Sequence, residues 1–232
     1  MTAETSITDA KDKFKIWNLK KWEAKNKVMY EVNAENKWPW FFDELDPDVE
    51  AYVKGLGPDS MDVLDLGTCS GSQAIEIAKL GHRVVGTDVA RSALLEAIKA
   101  LEPYPELPVR FVLDDITRSK LEPNSFDLIF DRGCYHSICC FQHREYILNI
   151  KRVLRPNGVL LLKVMSSDET RFMSYEKVGD SQVQMPFHFT EEEIQDLMSP
   201  HFTVASVDDS FFYSAVIDPP ARARFAILRN DK

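Results

Sequence analysis

From Asp62 onward, short apolar runs of strand length alternate with segments whose apolar residues recur at helical spacing. That alternation predicts a parallel sheet joined by crossover helices. The strands fall at Val63–Leu66, Arg83–Thr87, Val109–Leu113, Phe126–Phe130 and Val159–Val164, each apolar enough to be covered on both faces. The helices fall at Ser72–Leu80, closed by Gly81, at Arg91–Leu101, and at Gln142–Leu154, closed by Pro156. Thr190 with Glu193 three residues later forms a capping box for a helix Glu191–Met198, and Phe202–Val207 and Phe225–Leu228 supply the last two strands. The expected fold class is α/β, a three-layer sandwich around a mostly parallel seven-stranded sheet.

Two stretches break the alternation. Residues 1–56 carry all four tryptophans, Trp17, Trp22, Trp38 and Trp40, beside Phe41 and Phe42, and read as a helical cap packed on a domain of residues 57–232. Residues 166–189 form a polar insertion with scattered Met and aromatic side chains, longer than an ordinary connection and therefore a candidate lid. Asp218-Pro219-Pro220 reads as a turn.

Composition narrows the partners. A net charge of −9, with no block of consecutive Lys and Arg, opposes binding to nucleic acid. The longest apolar stretch, Val159–Met165, is far short of the roughly 20 residues a membrane helix needs, and Lys163 interrupts it. The polar first residues hold no signal-peptide core, so the expected location is cytoplasmic, with no membrane partner. Four cysteines do not make a disulfide framework. Cys134, His136, Cys139, Cys140 and His143 crowd one segment at spacings that fit no paired zinc pattern, so no metal is expected.

The chemistry concentrates where the first strand runs into Asp65-Leu-Gly67-Thr-Cys-Ser-Gly71 and the second ends at Asp88. Glycines at a strand-to-helix turn bring bare backbone close to a ligand, in a Rossmann-like crevice at the carboxyl ends of the strands. An acid about 20 residues past the turn suits the two hydroxyls of a ribose. Cys69 and Ser72 stand where a dinucleotide fingerprint has glycine, and the Lys and Ser/Thr of a P-loop are missing. The extra acid Asp65 suits a ligand with a positive charge and an amino-acid end, such as S-adenosyl-L-methionine.

DLGTCSGS (65–72) followed by GHRVVGTD (81–88) resembles motifs one and two of class I methyltransferases. The resemblance continues through Asp115-Ile116, FDLIFDRG (126–133) and LRPNGVLLL (154–162), and covers about Asp62 to Val164. It implies a Rossmann-like methyltransferase using S-adenosyl-L-methionine. Asp65 and the backbone near Gly67 would hold the methionine end, and Asp88 the ribose. Asp115 would accept from the adenine amino group, with Asp114 as its competitor, and Ile116 would pack on the ring. Thr68, Cys69, Gly71, Val89 and Asp131 complete the implied cofactor set. Cys69 departs from the family's usual glycine.

Asp131-Arg-Gly133, with Pro39-Trp40 upstream, resembles the thiopurine, thiol and tellurite-resistance group of small-molecule methyltransferases. That resemblance points to a small-molecule acceptor methylated at sulfur, with oxygen or nitrogen, a protein side chain, or cofactor binding without turnover as alternatives. Methyl transfer needs alignment, plus a base only where the nucleophile arrives protonated. His136 is the candidate base and Arg132 the candidate cation beside a thiolate, unless they serve a turn and an ion pair. Trp40 and Tyr135 are the candidate substrate contacts, Tyr135 alternatively packing over adenine.

Overall fold

The computed structural model describes residues 20–28, 40–57, 59–138, 140–178 and 181–231, with backbone alone at 176–178 and 181–184. Trp17, Trp38, Pro39 and Cys139 lie outside these residues. Helix α1 (residues 20–28) precedes α2 (Pro47–Gly55). Then follow β1 (Asp62–Leu66), α3 (Ser72–Lys79), β2 (Arg83–Asp88), α4 (Arg91–Leu101) and β3 (Val109–Leu113). After these come β4 (Phe126–Arg132), α5 (His143–Val153) and β5 (Leu154–Ser166). The chain ends with β6 (Ser174–Val178), β7 (Ser181–Met185), β8 (His188–Phe189), α6 (Glu191–Met198), β9 (Thr203–Phe212) and β10 (Ala221–Arg229).

The sheet runs β3-β2-β1-β4-β5-β10-β9, with β8 added alongside β5. Strands β1 to β5 pair in parallel, and β10 lies antiparallel to both β5 and β9. The seven expected strands are therefore the main path of an α/β sandwich. Alternate strand residues serve opposite faces: Val63, Leu128 and Leu161 pack with α2 and α3, while Leu64, Ile129, Leu160 and Leu162 pack with α5 and α6. The capping box forms as expected, Thr190 Oγ1 accepting from the Glu193 N–H at 3.1 Å and Glu193 accepting from the Thr190 N–H at 2.8 Å. No helix among the described residues is long and apolar enough to cross a membrane.

Three boundaries differ from the sequence pattern. β4 runs two residues beyond Phe130, so Asp131 and Arg132, expected in the loop that leaves the strand, are inside it and take opposite faces. α5 stops at Val153 because Arg155 precedes a proline, which disfavours helical backbone, and the chain passes directly into β5. The polar insertion is not irregular: β6 and β7 form an antiparallel hairpin, and β8 extends the sheet beside Met165 and Ser166.

Candidate functional site

The turn after β1 is shaped by its own hydrogen bonds. Gly67 and Gly71 adopt φ of +72° and +80°, which side chains rarely tolerate. A Cβ on Gly71 would also lie 2.7 Å from Phe111 and 2.9 Å from Ala97. Cys69 takes φ +52°, a left-handed conformation costing a side-chain-bearing residue about 1–2 kcal/mol. That explains why glycine is the natural residue there.

Two acids brace this turn. Asp65, buried at the end of β1, accepts from Thr68 Oγ1 at 2.6 Å. Asp88 accepts from the N–H of Cys69 at 3.1 Å and of Ala90 at 2.8 Å, tying the first turn to the second. Burial pushes both carboxyls up to about 6, against the opposing pull of those hydrogen bonds. A cation or a set of hydroxyls at these oxygens favours the ionised form, so both acids fit a ligand carrying an ammonium and a ribose.

Around the turn opens a cavity of about 550 Å³. Asp65, Gly67, Thr68, Cys69, Asp88 and Val89 line one part, with Asp114, Asp115 and Ile116 beside them. Asp115 is already committed: Oδ1 accepts from the Thr117 N–H and hydroxyl, and Oδ2 from Arg118 Nε. Asp114 accepts from the Lys120 N–H through Oδ1, while its buried Oδ2 has no partner. Of the two candidates, Asp114 keeps an oxygen without a partner, which is buried, while both oxygens of Asp115 are taken. Gly71 shapes the turn from behind and does not line the cavity.

The cavity continues past the turn into a second half walled by Trp40, Phe41, Met165, Phe172, Met185 and Phe212. Trp22, Lys25 and Asn26 of α1 line it as well, with Lys25 Nζ 4.8 Å from the Trp22 ring and 4.9 Å from the Trp40 ring. Arg132 and His136 reach this half too, but in roles other than those expected.

Arg132 is not a free cation. Its guanidinium donates to Asp46 Oδ2 at 3.0 Å, to the Trp40 carbonyl at 2.9 Å and to the Tyr213 carbonyl at 2.6 Å. Its side chain is only 8% exposed. His136 is not a base. Its Nδ1 accepts from the Met165 N–H at 3.0 Å, and burial, with His188 and Arg132 nearby, depresses it to about 3, so it takes up no proton near neutrality.

Asp131 and Tyr135 lie outside the cavity, contrary to the sequence-based assignment. Asp131 points to the α5 face, where its oxygens accept from the N–H groups of Cys134 and Tyr135 and from Tyr146 Oη at 2.6 Å. Desolvation raises its carboxyl to about 7. Tyr135 is 1% exposed and stacks with His143 and Phe189 in the core.

The residue missed from sequence is Asp46. Its carboxylate bridges Arg132 on β4 and the fully buried Lys163 on β5, whose Nζ also reaches Asp48 at 2.6 Å. The Asp46 N–H donates to Gln73 Oε1, and Gln73 Nε2 donates to the carbonyls of Phe42 and Glu44. Residues 40–46 are thereby strapped across the sheet ends with Trp40 and Phe41 in the cavity wall. A lone lysine in an apolar strand was the available signal, since a buried ammonium requires a buried anion. Among the described residues no group of three His, Cys, Asp or Glu side chains is arranged to hold a metal.

Comparison with known proteins adds what the geometry leaves open. Residues 64–162 match the family described as methyltransferase domain. An uncharacterized methyltransferase of Schizosaccharomyces pombe is 28% identical over 122 residues, 52% of this chain and 83% of that protein. The 2-heptyl-1-hydroxyquinolin-4(1H)-one methyltransferase of Mycobacteroides abscessus is 24% identical over 176 residues, 76% of this chain and 73% of its own. In fold, Burkholderia thailandensis 1,6-didemethyltoxoflavin-N1-methyltransferase, solved with 1,6-didemethyltoxoflavin and S-adenosylhomocysteine, superposes with a TM-score of 0.66 at 18% identity, covering 99% of this chain and 91% of that one.

The buried charge network yields a stability test. Lys163→Met keeps the length but removes the ammonium between Asp46 and Asp48, and urea denaturation should show a loss of about 3–5 kcal/mol, the usual result of stripping one partner from a buried pair. A change under about 1 kcal/mol would contradict the strap's dependence on this contact.

Proposed function

The chain is an S-adenosylmethionine-dependent methyltransferase with a class I α/β fold, and from that premise we propose that it methylates a small, planar, largely apolar molecule at a heteroatom. Sulfur is the first choice and ring-bound oxygen or nitrogen the second. The observation that carries this reading is one continuous cavity, with acids and a glycine turn in one half and aromatic and Met side chains in the other. Flat aromatic walls and polarizable thioethers favour planar apolar partners. Two relatives support a small acceptor: one is named for a hydroxyquinolone, and the other holds 1,6-didemethyltoxoflavin.

S-adenosyl-L-methionine supplies an electrophilic methyl group on a sulfonium. In our reading Asp65 takes the ammonium of its methionine end and the backbone of Gly67 to Cys69 its carboxylate. Asp88 takes the ribose hydroxyls, Asp114 the adenine amino group, and Val89 and Ile116 the faces of the ring. Trp40 is the substrate contact. Since Arg132 is paired and His136 is already bonded at Nδ1, neither removes a proton from the acceptor, and the protein contributes alignment and exclusion of water. This favours acceptors that ionise unaided near neutrality, as aromatic thiols do. Together with Asp131-Arg-Gly133, it is why we place the protein beside the thiopurine, thiol and tellurite-resistance group. Residues 20–28 with the 166–189 segment serve as the lid: Trp22, Phe172 and Met173 line the cavity from these two sides. A binding protein without turnover would not need the second half of the cavity.

Two measurements check this reading. With labelled S-adenosylmethionine, 1-naphthalenethiol and 1-hydroxyquinolin-4(1H)-one should each be methylated faster than a free lysine-containing peptide. Turnover of the peptide alone would overturn the small-molecule assignment. For the cofactor half, both acids titrate at about 6 in the free protein, and an ammonium or hydroxyl donors pull them lower. Calorimetry with S-adenosylhomocysteine in buffers of different ionisation enthalpy should therefore show proton release at pH 6 that fades by pH 8, where both are already ionised. Asp88→Ala should weaken binding by about 1.5–3 kcal/mol. Proton uptake at pH 6, or unchanged affinity in that variant, would refute the placement.

A further inference from the structure

His136 sits in the turn after β4 with one ring nitrogen fixed and the other presented to the cavity. The backbone N–H of Met165 can only donate, so Nδ1, 3.0 Å away, carries a lone pair and the ring proton resides on Nε2. Nε2 makes no hydrogen bond among the described residues, and it is not sealed from the cavity that His136 lines. A Cβ on Gly133 would stand 2.9 Å from this nitrogen, so a side chain there would press on it; Gly133, at φ +93°, leaves the approach clear. The edge of the ring meets Phe212 at 5.5 Å between centroids, which with the Met165 bond holds its orientation.

From this geometry we infer that His136 is a specificity residue for the methyl acceptor: a neutral imidazole whose Nε2–H donates a hydrogen bond to a lone pair on the substrate, such as a ring carbonyl, an N-oxide oxygen or an unprotonated ring nitrogen. The inference rests on the proposed small-molecule site and adds a chemical requirement to it. Arg132 on β4 and His188 on β8 face the ring, with Cys134 in the same turn, and the two basic neighbours disfavour a second proton on it. A donor that is already neutral and oriented favours an acceptor bearing a lone pair beside the reacting atom and disfavours an ammonium-bearing one, because an ammonium cannot accept. A site built around a polar group discriminates strongly against analogues that leave it unpaired.

Two experiments test it. Long-range proton–nitrogen correlation spectra of the full chain, assigned by loss of the signal in His136→Gln, should show a single Nε2–H tautomer that does not change from about pH 5.5 to 8.5, where a free imidazole titrates. An Nδ1–H tautomer, or titration inside that range, would overturn the inference whatever the substrate proves to be. The second experiment compares 1-hydroxyquinolin-4(1H)-one, which has a ring carbonyl, with 1-naphthalenethiol, which has no oxygen or nitrogen. His136→Leu should lower kcat/KM for the first by about 10- to 100-fold, the range for one lost hydrogen bond, and for the second by less than about 3-fold. His136→Gln, which places an amide donor near the same point, should recover part of the loss. S-adenosylhomocysteine affinity should be unchanged in both variants. Equal losses for the two acceptors would refute a hydrogen bond to substrate while leaving the cofactor reading intact, and loss of S-adenosylhomocysteine binding would refute the assignment of His136 to the acceptor half.

Discussion

Arg132 and Lys163 are direct neighbours across the β4–β5 pairing, so two positive charges project from adjacent strands toward the same face at the carboxyl end of the sheet. Side by side in a buried site they repel, and each requires a counter-ion that water cannot supply. Asp46 meets both, one carboxylate oxygen on each cation, and Asp48 adds a second negative charge from the same helix start. The carboxylate that satisfies the strands also caps α2, accepting from the Asp48 N–H. One buried anion thus fixes where the chain crosses the sheet before β1 begins.

The cavity depends on that crossing. Trp40 and Phe41 lie a few residues ahead of Asp46 in a strap held on its other side by Gln73, and the Trp40 carbonyl is itself bound by Arg132. The Tyr213 carbonyl, just beyond β9, takes the third donor of the same guanidinium. Segments from both ends of the chain are therefore gathered onto the rim of the sheet by Arg132, whose charge serves architecture. What remains in that half of the cavity, among the described residues, includes a wall of rings and thioethers beside the oriented imidazole of His136.

Much of this was legible in the sequence. The glycine turn, Asp65 and Asp88 stand where the motif puts them because the β1-to-α3 turn is local: its geometry follows from the glycines and from hydrogen bonds between residues at most 19 apart. The Thr190–Glu193 box is local for the same reason. The apolar run that marks β4 ends at Phe130, two residues short of the strand itself, and inside a strand neighbouring side chains face opposite sides. Asp131 therefore meets Tyr146 on one face while Arg132 meets Asp46 on the other. Tyr135 follows Asp131 into the core. The hairpin in 166–189 carries no alternating apolar pattern to announce it, and the Asp46–Lys163 pair joins residues 117 positions apart, a separation no local motif encodes. Lys163 was visible as an interruption in an apolar strand, but its partner was not.

In the arrangement we propose, the cofactor lies across the turn after β1 with its reactive end turned toward the aromatic half of the cavity. A crystal structure of the chain with S-adenosylhomocysteine tests it most directly. It should show the ribose hydroxyls on Asp88, the ammonium near Asp65, the adenine amino group on Asp114 and the sulfur facing Trp40 and His136. A ligand bound with its sulfur toward Asp114, or with no contact to Asp88, would contradict the account.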